Sequence, residues 1–233
     1  TDEPSNCLVF LPGKQEILLA MQEVRRRLPQ ASLDYVKLLP LHAMLSPDEQ
    51  EAALTDYAET VQVVFATDVA ETSLTPPGVS IVIDSGLSRE VSIDEQGVRS
   101  LQLKPISRAR VSQRAGRTGR ICPGTYKLTR LDEKTEYVPI EDRAEFPIAE
   151  FLRTNPSRNI LRLKDSGIEF EAFSTVHKVS SHILELARTE LHILGATDHD
   201  GTITRTGREM NSYPLGVTSA RMVAESLQFN AEI

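Results

Sequence analysis

Short apolar runs alternating with helix-period segments constrain this chain more than any other feature in it. CLVFL (7–11) is closed by Pro12 and Gly13, after which Ile17, Met21, Val24 and Leu28 recur at helical spacing until Pro29 stops them. YVKLLPL (35–41) predicts a second strand. Ser46, Pro47 and Glu49 then stand as N-cap, first helical residue and capping-box acid of a helix expected over about Pro47 to Ala58. VQVVFA (61–66) and SIVID (80–84) are β-branched runs of the kind that lie buried in a sheet, separated by ATDVAETSLTPPG. Strand and helix in alternation predict an α/β fold, a parallel sheet with helices on both faces.

Residues 90–105, EVSIDEQGVRSLQLKP, alternate apolar and polar side chains around Gln96 and Gly97, which predicts a protruding hairpin. Ser107 is placed to cap a helix running through QRAGRTGR (113–120), and Pro123 and Gly124 lead into a strand at TYKLTR. The first domain is expected to finish near Pro147. Beyond it the pattern turns mostly helical: Val176, Val179, Ile183, Leu186 and Leu194 form one stripe, ended by Gly195 where a left-handed C-cap is expected. TDHDGTIT then folds back around Asp200 and Gly201. Helix, helix, hairpin, helix is the outline of a winged-helix module.

The 233 residues are 40% hydrophobic and 25% charged, enough for a real core in one or two domains. No run approaches the roughly 18 apolar residues that cross a bilayer, and the opening TDEPSN lacks the layout of a signal peptide. A soluble intracellular protein of nucleus or cytoplasm, without a membrane partner, is expected; a chain beginning at Thr1 also reads as a piece of something longer. Cys7 and Cys122 are expected to be free structural thiols. His177, His182 and His192 fall about 140° and 280° apart around one helix, so no metal site is expected.

Charge is distributed unevenly. The net charge is -7, yet the stretch from Arg99 to Arg130 holds nine of the 26 Lys and Arg residues and none of the 33 acids. A basic run is often no more than a solvated face. A strip without a single acid in so acidic a chain predicts an anionic partner, phosphate or nucleic acid. Within it, Gln113, Arg117 and Arg120 stand at i, i+4 and i+7, which on a continuing helix puts them within about 60° of one another. Gly116 and Gly119 each cost up to ~1 kcal/mol relative to alanine inside a helix. Helix stability alone would not select this stretch. Two guanidinium forks and a neutral amide suit a triphosphate whose terminal oxygens are negative and whose attacking water must be oriented. The competing reading is that these arginines bridge acids of their own domain.

QRAGRTGR resembles the sixth helicase motif of superfamily 2 proteins, and ATDVAETSLTPPG (66–78) the fifth motif as it stands in DEAH-box RNA helicases. LVFLPGKQEI (8–17) is similar to their fourth motif, LPLHAMLSPDEQ (39–50) to the element after it, and FLRTNPSRNILRLKDSGI with ILELARTELHILGATDHDGTITRTGREM to their winged-helix domain. The resemblance implies a second RecA-like domain over 1–147, then a winged-helix domain and the start of a helical segment over 148–233. It implies ATP as the nucleotide, with Mg²⁺ held mainly by a preceding first RecA-like domain, RNA as the polymer, and room for an activator protein. By position it makes Arg117 and Arg120 arginine fingers, Gln113 an organiser of the γ-phosphate or lytic water, and Ser73 and Thr75 residues facing the nucleotide. Gly13, Thr67 and His42 fall to the nucleic-acid backbone, and the strand-separating hairpin to 90–105.

Departures from the family pattern are local. Pro77 stands where a carboxylate is usual near the ribose, Asp68 where asparagine is common, and Ala43 where many relatives carry serine. GKQ at 13–15 is not a phosphate-binding P-loop, because Leu8 stands where its first glycine is required and Gln15 where Ser or Thr is. With no DEAH-type quartet either, this chain alone is expected not to hydrolyse ATP. A DNA-directed or bacterial-type helicase would share these motifs, and a non-enzymatic nucleic-acid-binding relative is compatible with Pro77.

Overall fold

A computed structural model of the chain describes residues 6–32, 34–57, 59–72, 74–93, 99–120, 123–131, 133, 135–149, 156–172 and 179–228. It divides into two compact units, Thr1–Glu90 with Leu101–Pro147, and Val91–Ser100 with Ile148–Ile233. No described helix is long and apolar enough to cross a membrane.

The first unit is built on β1 (Asn6–Phe10), β2 (Val36–Leu41), β3 (Val61–Ala66), β4 (Val79–Asp84) and, numbered ahead of two strands that lie apart, β7 (Thr125–Leu128). They hydrogen-bond in the order β2-β3-β1-β4-β7, every pair parallel. Between them run α1 (Lys14–Arg27), α2 (Pro47–Leu54), the single-turn α3 (Val69–Thr72) and α4 (Arg108–Ala115). The two-residue strand period splits the apolar runs between two cores. Leu8, Phe10, Val64 and Ala66 join Ala53 of α2 and Ala70 of α3, whereas Val9, Val63 and Phe65 lie with Ile17 and Met21 of α1. Helices therefore cover both faces, as the alternating pattern predicts. β5 (Leu87–Ile93) and β6 (Arg99–Pro105) pair in a separate two-stranded sheet; the expected turn at Gln96 and Gly97 lies outside the described residues.

α2 starts as its sequence predicts, with Ser46 and Glu49 reciprocally capping it and Pro47 at its first position. It ends at Leu54 rather than continuing to Ala58. Thr55 turns extended, its hydroxyl donates to the Glu51 carbonyl, and its own carbonyl is taken by Nε2 of the buried Gln62. A bond from a neighbouring strand thus stops the helix where local propensity would let it run.

The second unit packs α5 (Ser157–Asp165), α6 (Ser181–Ile193), α7 (Arg205–Ser212) and α8 (Val217–Gln228) around Ile160, Leu161, Ala187, Leu191, Met210, Ala220 and Ala224. The buried stripe of α6 is Ala187 and Leu191 with Leu184 and Leu194 beside them, so the expected phase through Ile183 and Leu186 is off by one residue; Val176 lies outside the described residues. The cause is Ala187, a small residue that lets α6 approach α5, whose Ser157 Oγ donates to Glu190 Oε2 of α6. The expected C-cap is present: Gly195 has φ +67° and donates to the His192 carbonyl, and Ala196 to Leu191, the paired bonds of a Schellman motif. The TDHDGTIT turn closes with a single antiparallel bridge between Thr197 and Ile203.

Leu8 is fully buried at the centre of the sheet. Leu8→Ala is expected to cost about 2–5 kcal/mol of stability, read from urea denaturation, by lost burial and the cavity left behind.

Candidate functional site

Ser107 caps α4 as expected, its hydroxyl accepting from the Arg110 N–H. The helix stops at Ala115, and the reason is the glycines and the tail after them. Gly116 is the C-cap, Arg117 and Thr118 make tighter turns back to Arg114 and Ala115, and Gly119 takes φ +74°. Thr118 Oγ1 donates to the Ser80 carbonyl of β4 at 2.8 Å, drawing the tail toward the sheet. The expectation that Gln113, Arg117 and Arg120 share one continuing helical face is thereby corrected.

The three side chains have separate fates. Gln113 is exposed on α4. Arg120 is exposed, its Nε donating to the Gly116 carbonyl. Arg117 is buried, with 9% of its surface exposed. Its Nη1 donates to Thr75 Oγ1 at 2.6 Å and its Nη2 to the Glu71 carbonyl, while Nε has no partner among the described residues. Burial, and then the nearby Arg120 charge, holds its pKa below the ordinary value for arginine. Of the residues expected to face the nucleotide, Arg117 and Thr75 are thus brought together, Gln113 and Arg120 stand in solvent, and Ser73 lies outside the described residues.

Beneath Arg117 lies an ionic chain that sequence reasoning missed. Glu71 of α3 accepts from Arg110 Nε at 2.8 Å, Arg110 Nη2 at 2.8 Å and Arg114 Nε at 3.1 Å. Arg114 is 1% exposed; its Nη1 donates to Asp84 at 2.7 Å and its guanidinium lies 4.7 Å from the Phe10 ring centroid. Asp84, fully buried at the end of β4, also accepts from Tyr126 Oη at 2.8 Å and the Gly86 N–H at 2.7 Å. These bonds supply what two buried carboxylates need. Burial alone would raise the Glu71 carboxyl, but hydrogen bonds and charge from Arg110 and Arg114 hold it below its ordinary value. Burial and the Asp84 charge push the Tyr126 phenol far up. Arg110 and Arg114 thus bridge acids of their own domain, whereas Arg117 and Arg120, the arginines the competing reading concerned, make no such ion pair among the described residues. The available signal was the acid closing an otherwise apolar run, SIVID.

A second group gathers at the carboxyl ends of the strands. A groove of about 270 Å³ is lined by Pro12 and Lys14 after β1, His42 and Met44 after β2, Thr67 and Asp68 after β3, and Arg89 of β5. Gly13, between two lining residues, is the N-cap of α1 in extended conformation. His42 is buried; burial and then the Lys14 charge lower its pKa, so its ring is neutral near pH 7. The expected Thr67 and His42 meet here. Lys14 adds positive charge that single-residue matching did not identify, whereas Arg89 is ion-paired with Glu16 at 2.7 Å and Asp68 is an acid in the lining. In the second unit, Asp198, His199 and Asp200 bring one ligand atom each within 4.8 Å of one another, but Asp198 Oδ1 already accepts from the backbone N–H groups of Asp200 and Thr202 and serves the turn.

Comparison with known proteins agrees with this architecture. Residues 1–122, more than half of the chain, match the helicase conserved C-terminal domain. A pre-mRNA-splicing factor ATP-dependent RNA helicase of Arabidopsis thaliana, DEAH10, is 37% identical over 235 residues, covering 98% of this chain and 32% of the relative. Two solved structures of HrpB from E. coli, one described as a DExH-box NTPase and the other as a DEAH/RHA helicase, match with TM-scores of 0.80 and 0.82 at 28% and 29% identity. They take in 97% and 95% of this chain, and 27% and 28% of their own. The chain thus spans about a third of the curated relative's length. Its five-stranded parallel sheet with helices is the RecA-like fold of helicases. The chain belongs to the DEAH-box helicases, as the helicase C-terminal domain of that family.

Glu71 sets a pH dependence whose sign follows from its depressed pKa. The folded carboxyl titrates below its ordinary 4.5, so its contribution is complete above that value and is lost as pH falls through the folded pKa. The unfolding midpoint of the chain is expected to exceed that of Glu71→Gln by its full margin above about pH 5, and the margin to narrow steadily below it. Thermal denaturation across that range checks this.

Proposed function

We propose that this chain serves as the C-terminal motor lobe of an ATP-dependent RNA helicase, completing an ATP site against a first RecA-like domain of the same full-length protein. The observation carrying this is Arg117, a buried guanidinium bonded to neutral acceptors, with its Nε left without a partner among the described residues. An anion arriving beside Thr75 would satisfy that group and restore the charge balance that burial disturbs. In this reading Arg117 and Arg120 act as arginine fingers on the transferring phosphoryl group, Gln113 orients the attacking water, and Ser73 and Thr75 face the nucleotide. Glu71 and Asp84, the buried acids beside Arg117, do not fit Mg²⁺, because both are taken up by arginines. The metal, the phosphate-cradling loop and its lysine are assigned to the first domain, and the chain alone is inactive.

The groove at the strand ends takes single-stranded RNA, or the overhang of a duplex. Gly13 offers its backbone, Thr67 a hydroxyl, His42 a ring edge and Lys14 charge. None of these reads a base, so the grip is independent of sequence. Closure of the two lobes on ATP then steps the strand. The splicing relative makes the nucleus or cytoplasm the matching location. A bacterial-type helicase is the second reading, favoured by the two HrpB matches; unwinding of RNA against DNA duplexes separates the polymer classes.

In the full-length protein, Arg117→Ala is expected to lower kcat for ATP hydrolysis by roughly a thousand-fold or more with little change in KM, as for loss of an arginine finger. Turnover by the purified 233-residue chain, abolished by the same substitution, would refute the assignment. Lys14→Ala is expected to weaken RNA binding about equally for all sequences and to reduce the salt slope of log K by about 1, measured by fluorescence titration.

A further inference from the structure

We infer that Glu71 is a positioning residue for ATP hydrolysis, holding Arg117 in place by tying α3 to the arginines of α4. The inference rests on the finger reading of Arg117 above and goes beyond it. α3 spans four residues, Val69–Thr72, and a helix that short has no stability of its own. Something outside it must fix its position. The Glu71 carboxylate does so, receiving three N–H groups from Arg110 and Arg114 at 2.8 to 3.1 Å. Arg114 in turn is anchored to Asp84, at the end of β4. The same residue that is gripped through its side chain presents its backbone carbonyl to Arg117 Nη2, and Thr75, four residues on, takes Nη1. Strand end, Arg114, Glu71 and Arg117 therefore form one chain of direct contacts. The side chain of Glu71 sets where its carbonyl lies, and the carbonyl sets where the guanidinium lies.

A carboxylate with a purely structural part would affect stability and leave the chemical step alone. In the full-length protein, Glu71→Gln is expected to lower kcat by about tenfold or more while KM for ATP changes by less than about twofold. In an Arg117→Ala background the same substitution is expected to lower kcat no further, because the group it positions is gone. Ile17→Val, a truncation in the α1 core outside this chain of contacts, is expected to lower the thermal midpoint and leave kcat unchanged. Glu71→Asp keeps the charge with a shorter reach; it carries the same expectation in smaller measure and supplies the measurement if Glu71→Gln does not fold. Wild-type kcat in a folded Glu71→Gln or Glu71→Asp protein overturns the inference, as do losses that multiply in the double variant. The finger reading fails separately, and the inference with it, if Arg117→Ala alone leaves kcat unchanged.

Discussion

The first unit depends on a buried exchange of charge between Glu71, Arg114 and Asp84. Two carboxylates and a guanidinium away from water are costly individually, and an isolated pair often gains nothing over apolar residues of the same size. Here Asp84 receives three donors, from a guanidinium, a ring hydroxyl and the backbone, and Glu71 three more, all from guanidinium groups. What this arrangement supplies is alignment. It joins the end of β4, the single turn α3 and the helix α4.

That alignment explains why arginines of one short stretch behave so differently. Arg110 and Arg114 lie on the inner side of α4 and are neutralised by acids. Arg117 comes after the helix has ended, within reach of a carbonyl and a hydroxyl but with its charge unbalanced. Arg120, beyond Gly119, stands in solvent. The strip that looks uniformly basic along the chain is divided by folding into a structural half and a half with charge to offer an anion.

The groove has a topological origin. β1 lies between β3 and β4 in the sheet, so the chain leaves β1 toward one edge and leaves β3 toward the other. Crevices outside the carboxyl ends of strands at such a reversal are where open parallel sheets bind ligands. Lys14, His42 and Thr67, which follow three different strands, converge there because the strands are adjacent and parallel in register.

Much of this was legible beforehand, and the division follows a physical line. Strand positions, both-face burial, the Ser46 and Ser107 caps and the Gly195 C-cap are local, each set by period-2 patterning or by the hydrogen-bonding capacity of one side chain, and these the sequence alone determined. The end of α2 at Leu54, the phase of α6 set by Ala187 and the end of α4 at Ala115 depend on bonds from Gln62, close packing on α5 and the pull of Thr118 toward Ser80. Those partners are distant in sequence, so propensity carries no record of them. The same holds for charge: composition showed that the strip from Arg99 to Arg130 contains no acid, but only the tertiary structure decided that Glu71 and Asp84, from outside the strip, consume two of its arginines and leave Arg117 without an acid partner among the described residues.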